Sequence, residues 1–294
     1  MDYYFEIAEH ILCIKSSYAL HELFEMFPSG RNFYCEATPS RELLFTLIIE
    51  RTLETVDAAA CHPIRTFDTG NGDTVVDKIN DGNYQFIIKD IEGDTCARLL
   101  TGAQFTAYRC ALYGDKHKRC FGLNNVLMLA MAFAGSFKET LLIHASTVQN
   151  GAYGYPFIAK SGTGKSTHVG LWLTHIPGSE LLNDDNPILR IVDGKPFIYG
   201  SPWSGKTPCY RNRKAKLAAI TRIERAGENR LERLSTVQAF ASLLPSCSSM
   251  KWDEAIFNNI CNVVSKFIQL VPICTLHCRP DKAAAELSYQ TLKK

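Results

Sequence analysis

Between the apolar run YPFI and the segment STHVGLWLTHI lies AKSGTGKS, Ala159–Ser166, the stretch that most restricts how this chain can fold. An apolar run ends in a turn of small residues, and Val169, Leu171, Trp172 and Ile176 then fall near one helical face. That pattern predicts a strand, a tight loop and a helix. The residue types suit a phosphate. Gly162 and Gly164 allow a tight turn, so successive N–H groups can point at phosphate oxygens. Lys165 adds a mobile positive charge for the β- and γ-phosphates and Ser166 a hydroxyl for Mg²⁺, while the helix presents its positive N-terminus. Ala159 stands where the P-loop pattern more often has its first glycine. A nucleoside triphosphate is the expected ligand, cradled by Ser161, Gly162, Thr163, Gly164, Lys165, Ser166 and Thr167.

The two halves of the 294-residue chain are written differently. Up to about residue 115, runs such as YYFEIA, HILCIK, NYQFIIKDI and FTAYRCALYG are rich in β-branched and aromatic residues. The turns PSGRN, DTGNGDT and NDGN separate them, which predicts short strands. SRELLFTLIIERTLE reads equally as a helix or a buried strand. From about residue 120 apolar segments lengthen: a helix at 122–137, then TLLIHASTV, YPFIAK, LLNDDNPILRIV and PFIYGSPW. Strands alternating with helices predict an α/β second half. The expected division is a smaller β-rich region at 1–118 and a nucleotide-binding domain at 119–294, α+β overall. KLAAITRIERA is left as helix or strand. The tail is expected to form two or three amphipathic helices, the strand VPICTLHC and a terminal helix. Arg279 is placed to reach a phosphate from the strand's end, though a local cap or ion pair is the favoured reading.

Composition narrows the classes. A net charge of +2 and the single short basic run RNRKAK give no footprint for nucleic acid. Asn124–Phe137 has about a dozen apolar positions, short of the roughly 18–20 needed to span a bilayer. The N-terminus carries acidic residues early and lacks a basic segment ahead of an apolar run, so no signal peptide is expected. Eleven cysteines at irregular spacing, without a CxxC pair, suggest reduced thiols in a cytoplasmic protein.

Eighteen residues beyond Ser166, LLNDDNPILRI ends an apolar run on Asp184 and Asp185. Phosphoryl transfer needs a carboxylate to hold Mg²⁺, and a hydroxyl acceptor needs a positioning group. Neighbours on a strand face opposite ways, so both acids can serve one site only if the strand ends there; Pro187 favours such a break. The rival reading is a solvated turn. His144, in LLIHASTV, is on its own as easily a core histidine.

A histidine in a strand, a P-loop fifteen to twenty residues later and an Asp-Asp pair beyond its helix resemble the bacterial HPr kinase/phosphorylase catalytic domain. That family is related to nucleotide-binding phosphoenolpyruvate carboxykinase. The likeness covers His144 to about Ile191 well, thins out towards residue 290, and does not reach the first 115 residues. It implies a P-loop carboxykinase-like mixed-sheet core and transfer of the γ-phosphoryl group of ATP to a hydroxyl, above all a serine of a protein or peptide. It further implies that Lys165 and the Gly162–Gly164 backbone hold ATP, that Ser166 and Asp185 hold Mg²⁺, that Asp184 activates the acceptor, and that His144 sits near the transferred phosphate. Homo-oligomers are usual in the family. The glycine- and arginine-rich signature that docks HPr is replaced by YGSPWSGKTPCYRNRKAK, Tyr199–Lys216. There Lys206 and Arg211 are candidates for phosphate or acceptor contacts, weighed against a solvated basic face. A small-metabolite kinase with the same site and a non-catalytic ATP sensor remain open, and carboxykinase-like chemistry ranks last because its second metal's ligands are not evident.

Overall fold

In LLFTLIIE, Phe45, Leu47 and Ile49 turn inward while Thr46, Ile48 and Glu50 face outward. That period of two is a strand's, and it settles the segment that periodicity left undecided. The computed structural model describes residues 1–36, 41–68 and 71–294. Two compact units divide them, Met1–Ala134 and Gly135–Lys294. The architecture is mixed α/β, with a large mixed sheet in each unit.

Among the described residues, unit 1 has nine strands: β1 (Asp2–Ile7), β2 (His10–Ser16), β3 (Tyr34–Cys35), β4 (Leu43–Glu50), β5 (Cys61–Asp68), β6 (Asp73–Ile79), β7 (Tyr84–Lys89), β8 (Thr95–Thr101) and β9 (Ala107–Leu112). They lie in the order β3-β1-β2-β4-β9-β8-β7-β6-β5. β4 runs parallel to β2 and β9, whereas the other pairs are antiparallel. Two helices join them, α1 (Leu20–Met26) and α2 (Lys116–Ser136). α2 starts six residues ahead of the expected helix. Its Leu123, Val126, Leu127, Ala130 and Met131 are buried, Phe133 meets Phe86 at 5.5 Å between ring centroids, and Tyr108 donates to the Ala130 carbonyl. At Gly122 the helix backbone comes so near β8 that a Cβ would stand 2.6 Å from the Cys96 carbonyl oxygen. These contacts tie α2 to the first sheet. The units therefore part between Ala134 and Gly135, where the sequence suggested 118/119.

Unit 2 contains β10 (Thr140–Leu142), β11 (Ala145–Asn150), β12 (Tyr153–Ile158), α3 (Lys165–His175), β13 (Ser179–Asp185), β14 (Ile188–Val192), β15 (Lys195–Tyr199), β16 (Lys214–Leu217), β17 (Ile220–Arg225), β18 (Arg230–Arg233), α4 (Thr236–Leu243), α5 (Glu254–Leu270), β19 (Ile273–Cys278) and α6 (Lys282–Leu292). LLNDDNPILRIV is thus two strands, and KLAAITRIERA is β16 and β17. The main path is β10-β14-β15-β16-β12-β17-β19-β18, and β11 joins β12 to β13. β12 runs parallel to β16 and β17, and β17 to β19. The loop after β12 therefore opens at the C-terminal ends of parallel strands, where ligand crevices form in such sheets.

α3 is fixed on this sheet by Trp172, fully buried against Tyr155, Phe157 and Tyr289 at centroid distances of 4.9, 5.7 and 5.5 Å. Its indole N–H donates to Ser288 Oγ of α6 at 2.8 Å. His168, one turn earlier, packs edge-on to Phe157 at 4.6 Å and lies 3.1 Å from the same hydroxyl. Burial pulls its pKa down to about 4, because the cation would lose its water. Among the described residues no helix is long and apolar enough to cross a membrane.

His168 should make unit 2 acid-sensitive. Between pH 6.5 and about 4 the unfolded chain binds its proton and the native one does not, so stability falls as pH drops through that window. The full loss is about 3 kcal/mol by the usual conversion. Urea unfolding at pH 6.5 and 4 should show it in the wild type and a much smaller drop in His168→Met.

Candidate functional site

The loop between β12 and α3 is a glycine turn on the fold's terms as well. Gly162 has φ +76° and Gly164 +124°, both in the region that favours glycine. Neither position has an atom within 4 Å of a hypothetical Cβ, so the space beside both glycines is open. Gly164 caps α3. Ser161, Ser166 and Thr167 are exposed, and Thr163 and Gly164 half-buried.

Lys165 turns inward and is only 9% exposed. Its ammonium lies 2.8 Å from His144 Nε2 and donates to the Ala159 carbonyl at 3.1 Å. His144 follows β10, where the strand breaks and its N–H donates to the Ser246 carbonyl at 2.7 Å. That main-chain bond fixes where the ring starts. Its other nitrogen, Nδ1, stands 2.9 Å from Asp185 Oδ1. One tautomer satisfies both neighbours: Nδ1–H donates to the carboxylate and Nε2 accepts from the ammonium. Burial lowers the pKa of Lys165, and the charges of Asp185 and Asp184 oppose that shift.

Asp184 is 4% exposed and accepts from Ser166 Oγ at 2.8 Å. The strand ends one residue later, as the pair requires if both acids are to serve one site. Asp185 has φ +148°, a backbone angle that non-glycine residues seldom adopt. Asn183, fully buried, holds the bend: its Oδ1 accepts from the Asn186 N–H at 2.9 Å, and its Nδ2 donates to the Trp203 carbonyl at 2.9 Å. Asn186 donates in turn to Asp185 Oδ2 at 2.7 Å. Lys165, Ser166, His144, Asp184 and Asp185 are thereby brought together. The contacts pair Ser166 with Asp184 and His144 with Asp185, whereas the resemblance paired Ser166 with Asp185.

The basic loop divides. Lys206 is exposed and follows Gly205, whose N–H donates to the Asp184 carbonyl, so its backbone lies beside the acids. Arg211 lies elsewhere. Its guanidinium donates to Glu180 at 2.6 Å, shared with Arg213, at the far end of β13 from Asp184. That pairing holds Arg211 away from the acidic pair.

Sequence reasoning missed two contributors. Asn183 looked like turn composition, and Arg225 sat in a segment read without assigned chemistry. Arg225 donates to the carbonyls of Gly162 and Thr163 at 2.6 and 3.0 Å, anchoring the loop from β17. No local pattern marks it, since 62 positions separate it from Thr163. A third cluster, Asp90, Glu92 and Asp94 in unit 1, surrounds the Lys118 ammonium, at 3.3 Å from Asp90 and 3.5 Å from Glu92. That cluster already has its cation.

Lys165 sets a second pH dependence with the same sign. Its native pKa lies below the unfolded 10.5, so across the gap the unfolded chain holds more protons and stability rises with pH. Burial raises the pKa of the Cys110 and Cys247 thiols, which act with the opposite sign as pH rises, so the test is a difference. In urea unfolding of the ligand-free protein, the stability of the wild type relative to Lys165→Met should increase as pH approaches 10.5.

No protein-family model and no curated protein matches the chain, so the chemistry of the site rests on its own residues.

Proposed function

We propose that unit 2 is an ATP- and Mg²⁺-dependent phosphotransferase of the HPr-kinase-like class, built on a P-loop carboxykinase-like core. It passes the γ-phosphoryl group to a hydroxyl, a serine of a protein or peptide. One observation carries the reading: the open glycine loop, the Lys165 ammonium, the Ser166 hydroxyl and two carboxylates converge, with His144 bridging Lys165 to Asp185.

The donor set suits a hard cation, since the Ser166 hydroxyl and the Asp184 carboxylate are oxygen ligands already in contact. Bound there with ATP, Mg²⁺ would neutralise charge on the phosphate oxygens. Lys165 would leave His144 for the β- and γ-phosphates, and the loop N–H groups would hold the rest of the chain. That frees His144 Nε2, held in orientation by Asp185, to accept the proton of the acceptor hydroxyl. The hydroxyl oxygen then bonds to phosphorus as the bond to the β,γ-bridging oxygen breaks, its electron pair leaving with ADP. The contacts thus favour Asp184 for the cation and Asp185 for the acceptor, the reverse of what the resemblance implied.

Incubation with γ-labelled ATP, Mg²⁺ and cytosolic extract tests this. A labelled protein or peptide is expected, with transfer reduced about 100-fold or more in Lys165→Ala. Asp184→Asn should raise the Mg²⁺ concentration needed for half-maximal rate. Asp185→Asn should lower the rate with little change in that requirement. An ATP analogue that binds the wild type and Lys165→Ala equally well would sink the proposal, as would the absence of any labelled product.

A further inference from the structure

Two cavities of unit 2 flank the phosphate loop and meet at Thr163 and Arg225. The smaller, about 410 Å³, is bounded by Gly164, by Thr167 and Leu171 of α3, and by Ile223, Cys278, Arg279 and Pro280. The larger, about 950 Å³, has the loop residues Ala159 to Thr163 as one wall and runs from His144 along Arg222 to α4 and the turn after it. A triphosphate lying on the loop has a direction. Its γ end belongs where Lys165 and His144 meet, on the side of the larger cavity. Its nucleoside end then leaves past the first turn of α3 into the smaller one, where Leu171, Ile223, Ala226 and Pro280 offer apolar wall beside Arg225 and Arg279.

We infer, on the footing of the kinase reading above, that the larger cavity is the acceptor pocket and that it takes a peptide whose serine is flanked by acidic residues. Three observations support this. Part of its volume lies over Ser161–Thr163 and belongs to the phosphates, but the whole is at the upper end of ordinary ligand pockets and exceeds what those phosphates and a free amino acid fill together. Its charged lining, among the described residues, is Lys160, Arg222 and Arg225 against the single acid Glu224. Arg225 is engaged by the loop carbonyls, and the Arg222–Glu224 pair, 3.0 Å apart with side chains 43% and 38% exposed, is well screened by water. Lys160 and Arg222 are thus placed to meet carboxylates beside the acceptor serine.

The third observation is Ser242 of α4. It lines this cavity, is 6% exposed, and its buried hydroxyl has no hydrogen-bond partner among the described residues. Buried polar groups are rarely left so. A turn about χ1 would offer the hydroxyl to a peptide backbone group, which would supply the missing partner.

The test uses the full chain with Mg²⁺ and a non-hydrolysable ATP analogue. Fluorescence anisotropy follows the labelled peptide Ala-Asp-Ala-Ser-Asp-Glu-Ala and a counterpart with lysine in place of each acid. The acidic peptide should bind at least tenfold more tightly, and Lys160→Glu should weaken it about tenfold. Ser242→Ala should weaken it several-fold while its melting temperature stays equal or rises, since only an unpartnered buried hydroxyl is lost. Equal binding of the two peptides overturns the inference, as does wild-type affinity in Ser242→Ala. Tighter peptide binding when the ATP analogue is left out would overturn the inference and assign the cavity to the nucleoside. In a separate assay with γ-labelled ATP, label transfer to free L-serine but not to the peptide would overturn it in favour of a metabolite. Analogue binding and label transfer are read separately. Peptide binding with the stated dependence but without transfer leaves the pocket standing and removes the kinase reading.

Discussion

The buried ammonium of Lys165 is the interaction on which the site depends. Burial opposes its charge, and the carboxylates of Asp184 and Asp185 act to restore it. A charge removed from water must find partners, and here they are His144 and the Ala159 carbonyl. Each partner is fixed by a different element. β12 delivers the carbonyl, the break after β10 delivers the histidine, and the end of β13 delivers the acids. Moving any of these would leave a buried cation poorly compensated, which ties the geometry of the site to the stability of the unit.

The rest of unit 2 holds those elements in place. Trp172 and His168 seat α3 on β12 and α6, so the helix start that carries Lys165 and Ser166 cannot drift from the loop. β11 pairs with both β12 and β13, setting Ala145 opposite Ile158 on one side and opposite Asp185 on the other. The loop and the acidic pair are therefore in register through a single strand. Arg225 adds a third tether from β17. The result is a preorganised polar site, in which little has to be ordered when a ligand arrives.

Unit 1 follows a different logic. Its helix α2 is apolar over most of its length and packs against the nine-stranded sheet through Phe133, Ala130 and the close approach at Gly122. The basic and acidic residues at its edge, Lys118 with Asp90, Glu92 and Asp94, satisfy one another. Cys96 and Cys110 contribute as small buried hydrophobes, with the Cys96 thiol raised by burial and so kept protonated.

Local chemistry was enough to mark the loop, the helix behind it and the acidic pair. Glycine freedom, helical periodicity and the Asp-Asp-Asn-Pro turn are properties of a few neighbouring residues, and they survive without tertiary context. The strand character of LLFTLIIE, the attachment of α2 to the first sheet and the division at Ala134 did not follow, because each depends on which face a distant element buries. The same holds within the site. Sequence offered Asp184, Asp185, His144, Lys206 and Arg211 as candidates. Only the fold decided that Ser166 meets Asp184, that His144 bridges Lys165 and Asp185, that Arg211 is held by Glu180, and that Arg225 anchors the loop. Those are contacts between residues about 18 to 63 positions apart, set by strand register and helix seating rather than by any local pattern.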